Sequence, residues 1–301
     1  MAQPIPITRR VLYSAVVFAG FLLLLEGALA LLPRLLVDND AAELAAGAAG
    51  TVVCVGDSVT AGVGIPQGQA WPDHLSLLLA RHDIALLRAA TPGAQIGSGL
   101  ADATALVSAL PEDTRPIVLV MLGHNDALRW DPGARRGFER HRRAAEAGEG
   151  GPESAWQPRL VRIVRWGWGA LQQQGPAVRD GALTTLSAHL DPLRDAAEAR
   201  GGQVVLLTYL VPGQPSAELD ADLAEVISAA RLAQAGVNAA IRRTAADEGL
   251  ALIDIESAVA VGAVWDLADF VDHIHLSPQS SARVADVVHR RLKRAGALTA
   301  P

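Results

Sequence analysis

The chain has 301 residues, half of them hydrophobic, and a formal net charge of −6 at neutral pH. That is ample apolar material for one large core. With only 19% charged residues, the composition excludes a disordered body, and the acidic balance excludes a general binder of nucleic-acid phosphates. Cys54 is the only cysteine, so no internal disulfide forms. A cysteine inside an apolar run behaves as a small hydrophobe, and the count leaves the redox compartment open.

The amino terminus carries the first organised signal. Arg9-Arg10 precede an uncharged apolar run over residues 11–25; Glu26 interrupts it and residues 27–32 resume it. Residues 11–32 are long enough to cross a hydrocarbon layer of about 30 Å, for which roughly 20 residues suffice. The arginine pair before the run, against Asp38, Asp40 and Glu43 after it, predicts an amino end in the cytoplasm and the remainder outside. Glu26 costs a few kcal/mol in such a span. A cleaved signal peptide is the alternative, with Ala28-Leu29-Ala30 as the cut site. The apolar Leu31-Leu32 and Leu35-Leu36-Val37 beyond that site fit it less well. Either way the expected order is an anchor or signal over 1–37, a linker over 38–50 rich in Ala, Gly and acidic residues, and an exported domain over 51–298.

In that domain, Thr51 to Val55 form a β-branched apolar run that predicts a buried strand. It ends in Gly56-Asp57-Ser58. A serine there sits at the carboxyl end of the strand, where open α/β sheets place their ligands; alternatively Asp57 or Ser58 merely caps the following helix. Gly62, Gly64, Pro66 and Gly68 mark an open loop. A helix is expected over 71–81 and a second strand over 84–90. A glycine-bearing loop with Gly93 and Gly97 follows, then a helix over 100–110 stopped by Pro111, and a third strand over 117–122. Gly123-His124-Asn125-Asp126 comes directly after it. Residues 127–183 break the pattern. Arg159, Arg162 and Arg165 recur among Leu160, Ile163, Val164, Trp166 and Trp168, the mark of a basic amphipathic helix inside an insertion. A lid, a segment lying on anionic lipid and an ordinary solvated face all suit it. The alternation then resumes: helix 186–200, strand 203–210, a long helical stretch over 220–248 with Gly236 as its candidate break, strand 250–255, and helix 279–294 after Asp272-His273-Ile274-His275. Strands alternating with helices predict a five-stranded parallel sheet covered on both faces.

In such a sheet the strand exits share one edge, so their polar residues converge. The chemistry they suit is acyl transfer. Ser58 needs a base to take its proton, and His275 supplies one. Asp272, three residues earlier, is placed to hold the tautomer of His275. The backbone N–H groups of Ser58 and Gly93 and the Asn125 amide are the natural donors to an oxyanion. His273 is a poor metal ligand without a third partner. Asp126 is expected to tie down its own loop and Asp57 to hold the turn. Asp254 and Glu256 are alternative acidic members with poorer spacing. The loop from Gly62 to Gly68 lacks the Lys-Ser/Thr of a phosphate cradle.

These motifs, in this order, resemble the SGNH, or GDSL-type, hydrolases. Gly56-Asp57-Ser58, followed by Val-Thr instead of Leu, is similar to the nucleophile block. Gly93 is similar to the second-block glycine, Gly123-x-Asn125-Asp126 to the third block, and Asp272-x-x-His275 to the last. The resemblance covers residues 51–294. It implies a flavodoxin-like three-layer α/β/α fold, Ser58 as nucleophile, His275 as base, Asp272 as its orienter, and Ser58, Gly93 and Asn125 as the oxyanion hole, with no cofactor or metal. It implies an esterase acting on a small-molecule, lipid or carbohydrate acyl ester. An O-acyltransferase acting on an envelope carbohydrate and a non-catalytic binding domain are the alternatives.

Overall fold

A computed structural model describes residues 45, 48–130, 181–219 and 221–298. The apolar segment at 11–32 and the basic helix expected near 159–168 lie outside the described residues. Among the described residues no helix is long and apolar enough to cross a membrane.

The central strand β1 (Gly50–Gly56) is the run read from the sequence. Val52, Val53, Cys54 and Val55 are fully buried, which is why β-branched side chains occupy a strand covered on both faces. Burial also pushes the Cys54 thiol far up from its ordinary pKa, so it stays protonated and is no rival nucleophile. β1 pairs in parallel with β2 (Ile84–Ala90) on one side and β3 (Ile117–Met121) on the other. β4 (Gln203–Leu207) and the short β5 (Ala251–Ile253) extend the sheet, giving the order β2-β1-β3-β4-β5, every pair parallel. Register fixes what matters for function. Gly56 stands opposite Ala90 and Met121, so three strands end level and the chain leaves them side by side at one edge.

Helices cover both faces. α2 (Trp71–Leu79) packs on the last helix, α8 (Pro278–Arg294). On the other face α3 (Ile96–Ala109) packs on α5 (Gly181–Glu198), and α6 (Ala221–Asp247) lies against α5 and α4 (His124–Trp130). Two very short helices, α1 (Ser58–Ala61) and α7 (Ile255–Ala258), follow β1 and β5. The expected five-stranded three-layer α/β/α architecture is therefore the observed one. Three local expectations are corrected. α3 begins at Ile96, four residues before 100, because the Asp126 carboxylate accepts the Ile96 N–H at 2.9 Å. α6 runs unbroken through Gly236. The segment from His124 onward is the first turn of α4, not a loop. In each case a tertiary contact or helix continuity prevails over the local signal.

Candidate active site

The Gly56-Asp57-Ser58 turn is built by Asp57. Its Oδ1 accepts the Val59 N–H at 3.0 Å, so Asp57, not Ser58, is the N-cap of α1. Ser58 is the first residue of the helix. Its hydroxyl has no capping duty, and its N–H has no intrahelical partner. Gly56 is required beneath it, since a Cβ there would lie 2.0 Å from Thr60 Oγ1.

His275 is delivered by a tight loop. Phe270 and Leu276 form an antiparallel bridge, and the Val271 N–H donates to the His275 carbonyl at 2.9 Å. Phe270, Ile274 and Leu276 are buried and anchor the loop in the core. Ser277 caps α8 through the Ser280 N–H, with Pro278 at the first helical position. Between these anchors, Asp272 Oδ2 lies 2.6 Å from His275 Nδ1, while Oδ1 accepts the N–H groups of Ile274 at 2.8 Å and His275 at 2.7 Å. Burial pushes the Asp272 carboxyl up, but the hydrogen bond and charge of His275, the charge of His273 and the His275 backbone N–H outweigh it. They hold Asp272 well below the usual carboxylate range. It is therefore an anion at any working pH, and Nδ1 of His275 carries the proton that faces it. Nε2, the atom a general base uses, is left buried and makes no hydrogen bond to any described residue, Ser58 included. His275 also lies close enough to Asp57 to stabilise its anion, so His275 and the Ser58 turn are neighbours.

The oxyanion candidates come from the adjoining exits. Gly93, exposed, adopts φ +80° in the turn closed by the Ala94 N–H on the Thr91 carbonyl, a backbone conformation that favours glycine. Asn125 Nδ2 donates to the Ala94 carbonyl at 2.9 Å. One amide hydrogen is thus used to fix the side chain beside Gly93, and the second remains for a substrate oxygen. Asp126 holds the start of α3 and so ties the second motif to the third, a reach beyond the loop it was expected to tie down. Asn125→Ala should lower kcat on the order of 10²–10³ with KM little changed, measured by steady-state ester hydrolysis.

Other residues fall where function does not use them, or where sequence reasoning did not look. Asp254 and Glu256 are gripped by Arg242, which removes them as partners for His275. His273 is buried, its Nδ1 4.0 Å from Asp272 Oδ1. Among the described residues no three His, Cys, Asp or Glu side chains come together as metal ligands. His124 is fully buried, and burial, reinforced by His273 and His275, lowers its pKa to about 3; it is a neutral ring packed beneath the site, with its centroid 6.1 Å from that of Tyr209. Two supports were missed. Trp265 Nε1 donates to the Asp272 carbonyl at 3.0 Å, and Tyr209 donates to Asp57 Oδ2 at 2.8 Å. The one available signal for Tyr209 was its rarity: it is one of only two tyrosines, standing at a strand exit.

Comparison with known proteins bears on the family and the fold. Over 83 residues the chain is 35% identical to an arylesterase from Vibrio mimicus, a match covering 27% of this chain and 40% of that enzyme; the aligned part is thus less than half of the relative's length. The fold is shared with Est24, a carbohydrate acetylesterase from Sinorhizobium meliloti, at 13% identity and a TM-score of 0.51, over 82% of this chain and 99% of that one. The turn, the loop and the paired exits all fall within residues 54–283, which match the sequence model of the GDSL-like lipase/acylhydrolase family, and the chain belongs to that family.

Proposed function

We propose that the protein is a serine esterase that hydrolyses a carboxylic ester through an acyl-enzyme on Ser58. The observation that carries this reading is the divided histidine: Nδ1 is held by an anionic Asp272 at 2.6 Å, while Nε2 is buried and unpaired among the described residues, in a ring near enough to Asp57 for its charge to act there. Ser58 Oγ attacks the acyl carbon and passes its proton to His275 Nε2. The oxyanion is met by the N–H groups of Ser58 and Gly93 and by the free Asn125 amide hydrogen. Collapse expels the alcohol, which takes its proton from His275. Water then enters with His275 as base, and the acid leaves. Family membership supports hydrolysis; the arginine pair ahead of residues 11–32 supports a membrane anchor with the catalytic domain outside the cytoplasm.

The test is a panel of p-nitrophenyl esters from acetate upward, with fluorophosphonate labelling followed by peptide mapping. Turnover together with a label on Ser58 is expected. No label on Ser58, or acyl transfer to an added sugar in place of water, overturns the hydrolase reading.

A further inference from the structure

The nucleophile turn is held from below by a polar chain that crosses the sheet edge. Asp57 and Tyr209 are both fully buried. The Tyr209 hydroxyl is 2.8 Å from Asp57 Oδ2 and 3.1 Å from the Met121 carbonyl at the end of β3. The Tyr209 backbone is fixed in turn. Its N–H donates to Asn238 Oδ1 at 2.7 Å, and its carbonyl accepts from Asn238 Nδ2 at 2.9 Å. Asn238 is fully buried on α6 and reaches Glu256 Oε2 at 3.0 Å. Glu256 is gripped by Arg242, which also holds Asp254 through two bonds. Hydrogen bonds therefore run without a gap from the exit of β5 to the cap of α1.

We propose that Tyr209 is a positioning residue for Ser58, acting through Asp57. Its hydroxyl sets the Asp57 carboxyl, whose other oxygen holds the Val59 N–H and with it the turn that aims the Ser58 hydroxyl. A phenol has one hydrogen, and here two acceptors compete for it. With Asp57 ionised, the hydrogen goes to the nearer Oδ2. With Asp57 protonated, the acid donates to the phenol oxygen and the phenol donates to Met121. Both arrangements keep the carboxyl in place, so the turn is held whichever form is present. Burial raises Asp57 to about 6, while the hydrogen bonds from Tyr209 and Val59 and the charge of His275 pull it down and Asp126 pushes it up, so both forms occur near neutral pH. A phenylalanine at 209 fills the same space but leaves Asp57 Oδ2 and the Met121 carbonyl without this partner.

This inference rests on the esterase reading. The test is Tyr209→Phe, assayed well below its melting temperature in the full chain. A positioning role gives a fall in kcat of about tenfold with KM unchanged, and an equal fall in the rate at which a fluorophosphonate labels Ser58. It also gives an upward shift of the Asp57 carboxyl titration, followed by ¹³C NMR, because a donor to the anion is gone. Asn238→Ser keeps the phenol but loosens its backbone, and should lower kcat about threefold. A lower melting temperature with kcat within twofold of the unaltered protein in both variants overturns the proposal, as does a change confined to KM. If the unaltered protein neither turns over esters nor labels at Ser58, the esterase reading fails and this inference falls with it. Normal turnover with an unmoved Tyr209→Phe overturns this inference alone.

Discussion

Ser58→Ala should lower ester turnover on the order of 10⁶-fold, to the level left by binding and the oxyanion donors alone, while the melting temperature moves by no more than a few degrees. The two halves of this expectation come from separate observations. The chemical half follows because neighbouring hydroxyl and thiol groups are ill placed to replace Ser58: Cys54 is enclosed within β1 and protonated, and Thr60, two residues further along, is fully buried over Gly56. The structural half follows because Asp57 performs the capping. The Val59 N–H is satisfied by Asp57 Oδ1, and the Ser58 carbonyl still accepts from Gly62 and Val63 in the alanine variant. If Ser58 were a cap residue, the result would be reversed, with stability lost and activity largely kept. Steady-state hydrolysis and a thermal melt on the same preparation distinguish the two.

That contrast also shows what was legible in the sequence. The Val-rich run at Thr51 to Val55 could only be a covered strand, and the alternation after it required parallel pairing with all exits at one edge. Once the exits are level, Ser58 and Asn125 are expected at one edge, while Asp272 and His275, on a loop well past β5, were paired by their spacing. What was not legible depends on contacts between residues far apart in the chain. Asp126 caps a helix thirty residues earlier, so no local pattern could place the start of α3 at Ile96. Tyr209 lies 152 residues from Asp57, inside an apolar stretch where a tyrosine looks like core. Trp265 meets Asp272 through a backbone carbonyl, a partner that every residue possesses and that leaves no trace in the pattern. The loops it joins approach so closely that a Cβ on Gly213 would lie 2.5 Å from the Val264 carbonyl carbon. Residue type marked the groups proposed to react, whereas the supports that hold them were set by packing.

Asp272→Asn carries the second large effect. The carboxylate makes two kinds of bond, and asparagine preserves one of them. Its carbonyl oxygen can still accept the N–H groups of Ile274 and His275, now at 2.8 and 2.7 Å, so the loop keeps its shape. Its amide, however, presents hydrogens to His275 Nδ1 where a carboxylate oxygen stood at 2.6 Å. Nδ1 must then accept, the ring proton moves to Nε2, and the base arrives at Ser58 already protonated. The expected loss is about 10⁴-fold in kcat with KM little altered. Asp272→Ala should lose activity to a similar extent, and melt at a lower temperature as well, because the two backbone N–H groups are left without their acceptor. The stability comparison has a definite pH dependence. The folded-state pKa of Asp272 is depressed below the unfolded value near 4, so its contribution to stability is present above that pH and is lost as pH falls toward the folded-state value. The melting-temperature gap between the unaltered protein and Asp272→Asn should therefore narrow as pH falls below about 4, as thermal melts across that range would show. A gap that widens as pH falls below about 4 would mean that Asp272 is held neutral in the fold, and an acid in that position cannot fix the histidine for proton abstraction.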